Sequence, residues 1–195
     1  MEILLLGDGE PELEGSEYLA FRHGATGDRP PAIDLDGERR TGELCASLVE
    51  GSLVECAHDV ADGGIAVALA EMAFHGGIGA DVALEVPGRA DVALFGESGC
   101  RILVAVDTAR AADVEDAARQ AGVRCRRLGR SGGSRLRIVD AGGAGVLVDS
   151  ALDRLREGWE ATLPAISHAD LPDTGEADGP LHSKTKASRE PGVVE

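Results

Sequence analysis

Residues 57–64 read AHDVADGG and lie between two segments of different hydrophobic periodicity. The preceding residues 53–57 (LVECA) are typical of a short strand, because the run is brief and mostly apolar. Residues 64–74 (GIAVALAEMAF) place apolar side chains at helical spacing, and their many small residues suit close packing on a sheet. The sequence therefore predicts a strand, a loop over residues 58–63, and a helix packed against a sheet.

Strand and helix patterns continue on both sides of this unit. Helical patterns cover residues 38–50, 90–95, 109–121 and 150–163. Strand patterns cover residues 2–6, 80–86, 101–106, 123–128, 135–139 and 145–148. Residues 16–21 (SEYLAF) form a short apolar element whose type the pattern does not decide. Because several neighbouring elements are joined by short turns, we expect an α/β (α+β) fold in which helices pack on a mixed β-sheet.

The charge of the chain restricts its partners. The formal net charge is −16, from 35 acidic and 19 basic residues. Nucleic acid and anionic membrane surfaces both require a basic face, so we expect neither as a partner. Lys184 and Lys186 are the only lysines, a composition typical of a high-salt cytosol and equally of a GC-rich genome.

The cysteines and the apolar runs indicate a cytoplasmic protein. No two of the four cysteines form a C-x-x-C pair, which argues against a zinc or thioredoxin-type site. We expect reduced thiols, with Cys56 and Cys100 in the core. No segment resembles a signal peptide, and none approaches the roughly 18 apolar residues that a membrane span requires.

The loop that opens the predicted helix is the first candidate site. Gly63 and Gly64 begin the helix, so their backbone N–H groups could face an anion. Asp59 and Asp62 flank the glycines and would repel phosphate unless a hard cation such as Mg²⁺ joined carboxylate to phosphate. The same residues fit a purely structural role, in which Asp62 caps the helix and Asp59 stabilises the turn. Spacing alone favours the structural role.

Residues 95–99 (FGESG) form the second candidate site. Glu97 could bind a metal ion or a substrate, and Ser98 could donate a hydrogen bond. A serine hydrolase is not expected, because a nucleophile elbow requires G-x-S-x-G and Cys100 stands at the last position. His58 is more typical of a hydrogen-bonded structural histidine than of a general base. Spacing alone favours a surface turn for this segment too.

Three segments together resemble the phosphoribosylformylglycinamidine synthases. Residues 57–72 (AHDVADGGIAVALAEM) are similar to that family's AHD-x-S-x-GG-x-A-x-A-x-x-EM segment. Residues 94–104 (LFGESGCRILV) resemble its LF-x-E-S-x-x-R-x-x-V segment, and residues 3–20 (ILLLGDGEPELEGSEYLA) resemble its LLG-x-x…GGSEY segment. The segments occur in the family's order, and the resemblance covers residues 3–159.

The resemblance implies a reaction and its cofactors. Family members contain two pseudo-symmetric halves, each with an N-domain and a C-domain related to aminoimidazole ribonucleotide synthetase, and this chain resembles the second C-domain. The implied reaction converts formylglycinamide ribonucleotide and glutamine-derived ammonia to the amidine, with ATP activating the amide oxygen and Mg²⁺ neutralising the transferring phosphate. By pseudo-symmetry, Asp59 and Glu97 correspond to metal- and substrate-binding positions of the first half. In the second half this place implies an auxiliary nucleotide site or a structural remnant.

The resemblance also implies a division of the chain. Residues 1–37 would connect to an N-domain missing here, residues 38–166 would form the C-terminal domain, and residues 167–195 would be a disordered polar tail. The family's catalytic histidine and main ATP ligands lie in earlier domains, so we expect no catalytic residue and no activity of this chain alone. Expected partners are the remaining synthase domains or subunits and a glutaminase subunit. A homodimer is a further option, because the uncovered surface would be apolar.

Two departures from the family pattern keep alternatives open. Ala61 stands where the family has Ser, which removes a hydroxyl, and Gly99 matches only loosely. One alternative is a stand-alone module that dimerises and binds nucleotide or Mg²⁺. Another is a relative in the same superfamily, such as a selenophosphate synthetase, a thiamine-phosphate kinase or a hydrogenase-maturation protein. The GSEYLA and FGESG segments favour the synthase.

Overall fold

A computed structural model describes residues 1–143 and 145–161 of the 195-residue chain. Within these residues, seven strands form one sheet: β1 (Glu2–Leu6), β2 (Cys56–Asp59), β3 (Ala80–Leu84), β4 (Ile102–Val106), β5 (Cys125–Ser131), β6 (Arg135–Asp140) and β7 (Val146–Ala151). The α-helices are α1 (Glu17–His23), α2 (Leu35–Glu50), α3 (Gly64–Gly76), α4 (Ala90–Phe95), α5 (Ala111–Gln120) and α6 (Leu152–Glu160).

The sheet is mixed, as the sequence predicts. Its strand order is β2-β4-β1-β5-β3-β6-β7. β3 and β6 pair in parallel, whereas every other neighbouring pair in this order is antiparallel. β5 and β6 follow one another along the chain, yet β3 lies between them, so the turn that joins them is not a hairpin.

Helices cover both faces of the sheet, and β1 serves both. Successive residues of a strand point to opposite faces. Ile3 and Leu5 accordingly join the core beneath α3 and α4, whereas Leu4 and Leu6 join the core beneath α2 and α5. Since all five residues of β1 are buried, this apolar run holds the two layers together.

Several element boundaries differ from the sequence-based predictions. The undecided element at residues 16–21 is the helix α1, which Ser16 caps through a hydrogen bond from the Leu19 N–H. β2 begins three residues later than predicted, because Leu53 and Val54 pack against the α2–α5 core instead of entering the sheet. β2 is an edge strand and leaves Cys56 exposed, so the expectation of a core position for Cys56 is wrong. Cys100 is buried, as expected, and all four cysteines are free thiols.

Residues Met1–Trp159 form one compact unit. The proposed connecting segment, residues 1–37, lies inside this unit, because β1 pairs with both β4 and β5. The predicted helix over residues 150–163 is α6, and the predicted tail at residues 167–195 lies outside the described residues. Among the described helices, none has the length and apolar character that crossing a bilayer requires.

Candidate functional site at the Glu97 junction

Two consecutive glycines shape the start of α3. Gly63 and Gly64 have φ angles of 78° and 69°, a left-handed conformation that residues with a Cβ adopt only with strain. A Cβ at Gly64 would also lie 2.8 Å from the carbonyl oxygens of Leu94 and Gly96. The helix start therefore lies directly against residues 94–96, so the two candidate segments, residues 57–64 and 95–99, are in contact.

Glu97 joins these segments by hydrogen bonds. Its carboxylate oxygen Oε1 accepts the backbone N–H of Gly63 at 2.8 Å and that of Glu17, the first residue of α1, also at 2.8 Å. Both donors lie at helix N-termini, where N–H groups lack intrahelical partners and a negative charge is favourable. Glu97 thus caps both helix starts from a loop that is distant in sequence. It accepts one N–H group at each start that the capping residue there does not bind.

The segment before α1 reaches the same place. Tyr18 stacks on Phe95, with ring centroids 4.8 Å apart and planes 1° from parallel. Glu12 and Glu97 exchange two backbone hydrogen bonds, with N–O distances of 3.2 Å and 2.8 Å. All three segments that carry the family resemblance therefore meet at Glu97.

Two further groups hold the 96–100 loop in place. The Glu38 carboxylate of α2 accepts the Cys100 N–H at 2.8 Å. The buried Arg101 side chain donates from Nη2 to the Gly96 carbonyl oxygen at 2.7 Å. Burial, together with the neighbouring Arg126 guanidinium, lowers the pKa of Arg101 to about 10, against the opposing effect of nearby carboxylates. The loop is consequently fixed from α1, from α2, from the N-cap of α3 and from Arg101, the residue before β4.

Asp59 and Asp62 have a different environment from Glu97. The Asp59 side chain at the end of β2 is 75% exposed, and Asp62 is exposed as well. His58 of β2 reaches toward α3: its Nδ1 is 2.7 Å from the Asp59 carbonyl oxygen, and its Nε2 is 3.3 Å from Glu71 Oε2. His58 is therefore a hydrogen-bonded structural residue, as the sequence predicts.

The geometry corrects two details of the predicted anion site. The Gly63 N–H is bonded to Glu97 and the Gly64 N–H to the Ala61 carbonyl oxygen, so neither amide is free for a ligand. The N-cap of α3 is Gly63, which makes no side-chain capping bond, so the structural alternative in which Asp62 caps the helix is wrong. The assignment of Asp59, Asp62 and the two glycines to a nucleotide site stays a prediction.

The predicted metal ligands do not form a cluster by themselves. Within residues 1–143 and 145–161, no group of three or more His, Cys, Asp or Glu side chains is arranged to hold a metal ion. The Ser98 hydroxyl is buried and has no hydrogen-bond partner in this part of the chain. Metal binding by Asp59 and Glu97 therefore stays a prediction, as does ligand binding by Ser98.

Sequence reasoning missed two residues of this region, Arg101 and Glu71. Arg101 begins the apolar run RILVAV, and a single charge at the start of a buried strand was the available signal. Glu71 lies on α3, where its charge among apolar residues was equally visible. The contact between Glu97 and two helix starts had no local signal, because these residues are far apart in the sequence.

Comparison with known proteins places this arrangement in a family. The model for "AIR synthase related protein, C-terminal domain" matches residues 1–151. The phosphoribosylformylglycinamidine synthase subunit PurL of Moorella thermoacetica is 42% identical over 164 residues, which cover 84% of this chain and 22% of the relative. The chain thus spans about a fifth of the length of the curated relatives it matches.

Solved structures share the fold at lower sequence identity. Thermotoga maritima PurL, in a structure described as complexed with FGAR, has a TM-score of 0.65 and 23% identity, over 79% of this chain and 27% of that one. Other structures of that protein are described as complexed with ATP and as PurLQS, with TM-scores of 0.60 and 0.62. A HypE–HypF complex has a TM-score of 0.53 and 18% identity, over 76% and 52% of the two chains. The fold, the converging motifs and the match over residues 1–151 together establish that this chain belongs to the family of AIR synthase related proteins, C-terminal domain.

Proposed function

We propose that this chain supplies a C-terminal domain of phosphoribosylformylglycinamidine synthase, an ATP-dependent amidine-forming ligase of purine biosynthesis in the cytoplasm. The observation that carries the proposal is the meeting of three motif segments at Glu97, in a chain 42% identical to a PurL subunit. In this proposal the domain works only with the remaining synthase domains and an ammonia-supplying glutaminase subunit.

In this proposal the domain provides a rigid surface, and the groups that carry out the chemistry belong to the other synthase domains. Glu97 and Glu38 fix the loop against three helices, and Arg101 binds the Gly96 carbonyl oxygen, which leaves little freedom in the backbone around residues 96–100. A rigid surface of this kind orients groups contributed by neighbouring domains, and orientation lowers the barrier of a bimolecular reaction.

ATP and Mg²⁺ are the cofactors of the proposed complete enzyme. Asp59 is exposed, and Glu97 accepts two N–H groups through Oε1, while its Oε2 accepts no hydrogen bond from residues 1–143 and 145–161. Mg²⁺ retains several waters and is commonly bound by one or two carboxylates together with substrate phosphates, so it does not require a cluster of three protein carboxylates. These residues fit an auxiliary Mg²⁺–nucleotide site in which the nucleotide supplies the other ligands.

A chimera tests the proposal directly. In the Moorella PurL subunit, the segment matching this chain is replaced by residues 1–161, and amidine formation is measured with ATP and ammonia. We expect the chimera to retain ATP-dependent amidine formation, because the chain is 42% identical to the segment that it replaces. A chimera carrying Gly64→Val serves as the matched control and should lose activity along with the fold of the domain. A folded, inactive chimera beside an active parent would rule out the proposed role.

The alternative of a stand-alone nucleotide-binding module has its own test. Titration of the complete chain with ATP, with and without Mg²⁺, should give no Mg²⁺-dependent binding if the other domains are needed. Tight Mg²⁺-dependent binding that Asp59→Asn abolishes would favour the stand-alone module over the synthase domain.

A further inference from the structure

Three apolar side chains between residues 21 and 35 lie outside both cores of the domain. Phe21 is 91% exposed, Leu35 is 76% exposed and Ile33 is 74% exposed. Among the large apolar side chains of residues 1–143 and 145–161, these are the three greatest exposed fractions. Single exposed apolar side chains are ordinary on protein surfaces, but these three are concentrated in one short segment. Their concentration therefore requires a physical reason.

Phe21 stands out because the chain is poor in aromatic residues. It is one of only three phenylalanines in the sequence. Phe74 is buried, and Phe95 stacks on Tyr18 and packs against the core beneath α3. A phenylalanine side chain contributes a large apolar area when it is removed from water. The chain uses its other two phenylalanines in packing and leaves Phe21 to solvent.

Both helix starts of this segment are bound to the loop that follows α4. The first N–H group of α1 donates to Glu97 Oε1, one helical turn before Phe21. The Cys100 thiol donates to the carbonyl oxygen of Asp34, the N-cap of α2, directly before Leu35. Phe21 and Leu35 therefore follow two anchoring points that lie close together on one loop.

The connection between α1 and α2 is bound to the domain in the same way. The N–H group of Ala32, directly before Ile33, donates to Glu12 Oε1 at 3.3 Å. The N–H group of Gly15 donates to the Thr26 carbonyl oxygen at 2.9 Å. Hydrogen bonds thus hold the inner side of the segment, while its largest apolar side chains face solvent. A surface that is ordered from within and apolar outside is typical of an interface.

Two arginines around this segment are already paired within the domain. Arg29 Nε lies 3.4 Å from Glu14 Oε2, and Arg40 Nη2 lies 3.9 Å from Asp34 Oδ2. A partner would therefore gain more from burying the apolar side chains than from pairing with these cations.

The charge and the length of the chain together favour one kind of partner. Two copies of a chain with a net charge of −16 repel each other, which argues against self-association through this segment. The chain spans about a fifth of the PurL relatives that it matches, so most of each relative lies in other domains. An apolar face on one of those domains would cover the three side chains.

We propose that Phe21, Ile33 and Leu35 form a docking surface for another domain of the complete synthase, which covers them with an apolar face of its own. The inference rests on the proposed function and names the contact through which the other domains bind this one. All three side chains lie within residues 1–37, the segment that the sequence predicts to connect with another domain. Because both helix starts are bound to the loop that carries Glu97, docking here also fixes that loop relative to the partner domain.

Hydroxyl-radical footprinting tests the proposal, because the oxidation of a side chain reports its contact with water. The complete chain is compared with the Moorella chimera described above. We expect the oxidation of Phe21, Ile33 and Leu35 to fall about tenfold in the chimera, since a docked domain excludes water from a buried contact. Val49, which is 53% exposed near the other end of α2, should react equally in both proteins.

Two footprinting results would overturn the proposal. One is equal oxidation of Phe21, Ile33 and Leu35 in the complete chain and in the chimera. The other is protection that appears in the complete chain as its concentration rises, which would assign the surface to a second copy. Amidine formation separates the two proposals. An inactive chimera with protected side chains contradicts the proposed function, whereas an active chimera with exposed side chains contradicts only the docking surface.

Substitutions test whether the surface stabilises the complete enzyme. Phe21→Gln, Ile33→Gln and Leu35→Gln together should lower the melting temperature of the chimera by a few degrees. The same changes should leave the melting temperature of the complete chain unchanged, because the exposed side chains contribute little to its own stability. Val49→Gln is the matched control in both proteins. Phe21→Gln alone decides the matter if the triple variant perturbs the complete chain, and an unchanged melting temperature of the chimera would overturn the proposal.

Discussion

Glu97 and the pair Asp59 and Asp62 have the same chemistry but opposite surroundings. Glu97 accepts backbone N–H groups from two helix starts, whereas the two aspartates of the neighbouring segment are exposed to solvent. A carboxylate bonded to backbone amides has its geometry fixed by the fold, while an exposed carboxylate is available to a ligand. Backbone N–H groups that no motif encodes therefore fix Oε1 of Glu97 within the scaffold, whereas Oε2 of Glu97 and the exposed aspartates stay candidates for ligand binding.

The largest loss of stability is expected from a substitution at Gly64, where the start of α3 lies against residues 94–96. Gly64→Val introduces left-handed strain and a Cβ at 2.8 Å from backbone atoms of residues 94–96, so we expect a loss of roughly 3–5 kcal/mol in unfolding free energy. Urea denaturation measures this loss. Gly77→Val is the matched control, because Gly77 has a similar φ of 65° but open space around its Cβ position. Equal losses in the two variants would contradict the close approach at Gly64.

The second prediction removes the shared carboxylate. Glu97→Ala leaves the Gly63 and Glu17 N–H groups without their acceptor, so we expect a loss of roughly 1.5–3 kcal/mol in unfolding free energy. Hydrogen exchange should accelerate at these two amides more than at β1. Glu97→Gln keeps a carbonyl oxygen and should recover part of the loss. Unchanged hydrogen exchange at both amides would contradict the hydrogen bonds from Gly63 and Glu17 to Glu97.

The third prediction concerns Trp159, whose contact with Glu71 supports the end of β2 that carries the exposed Asp59. Trp159 of α6 donates from Nε1 to Glu71 Oε1 at 3.1 Å and packs 5.5 Å from the Phe74 ring. Since Glu71 also contacts His58, α6 holds the β2 end through one carboxylate. Trp159→Ala should cost about 1–2 kcal/mol in unfolding free energy, because Trp159 is only half-buried.

The fluorescence of Trp159, the only tryptophan of the chain, reports this contact directly. Glu71→Gln should shift its emission, whereas Glu157→Gln, an exposed change on α6 itself, should not. An identical emission maximum in all three proteins would show that the indole makes no contact with Glu71.

The sequence predicts the elements whose pattern is local and leaves open those that depend on distant partners. β1 and α4 have the predicted boundaries, because each is a short, mostly apolar run that a glycine follows directly. β5 extends through Arg130 and Ser131, beyond the predicted strand at 123–128, because its partners in the middle of the sheet compensate for its polar residues. Glu97 was identified as a candidate residue, but its role as a shared helix cap depends on a fold that no local pattern encodes.

The smallest expected effect is at Asp62. Because Gly63 makes no side-chain capping bond and Asp62 is exposed, Asp62→Asn should change the unfolding free energy by no more than about 0.5 kcal/mol. Urea denaturation measures the unfolding free energies of Asp62→Asn and Glu97→Gln, which both replace a carboxylate by an amide and can therefore be compared directly. A loss at Asp62 as large as that at Glu97 would assign both acids to the scaffold. A neutral Asp62→Asn would show that the scaffold does not require an acid at this exposed position, unlike the position of Glu97.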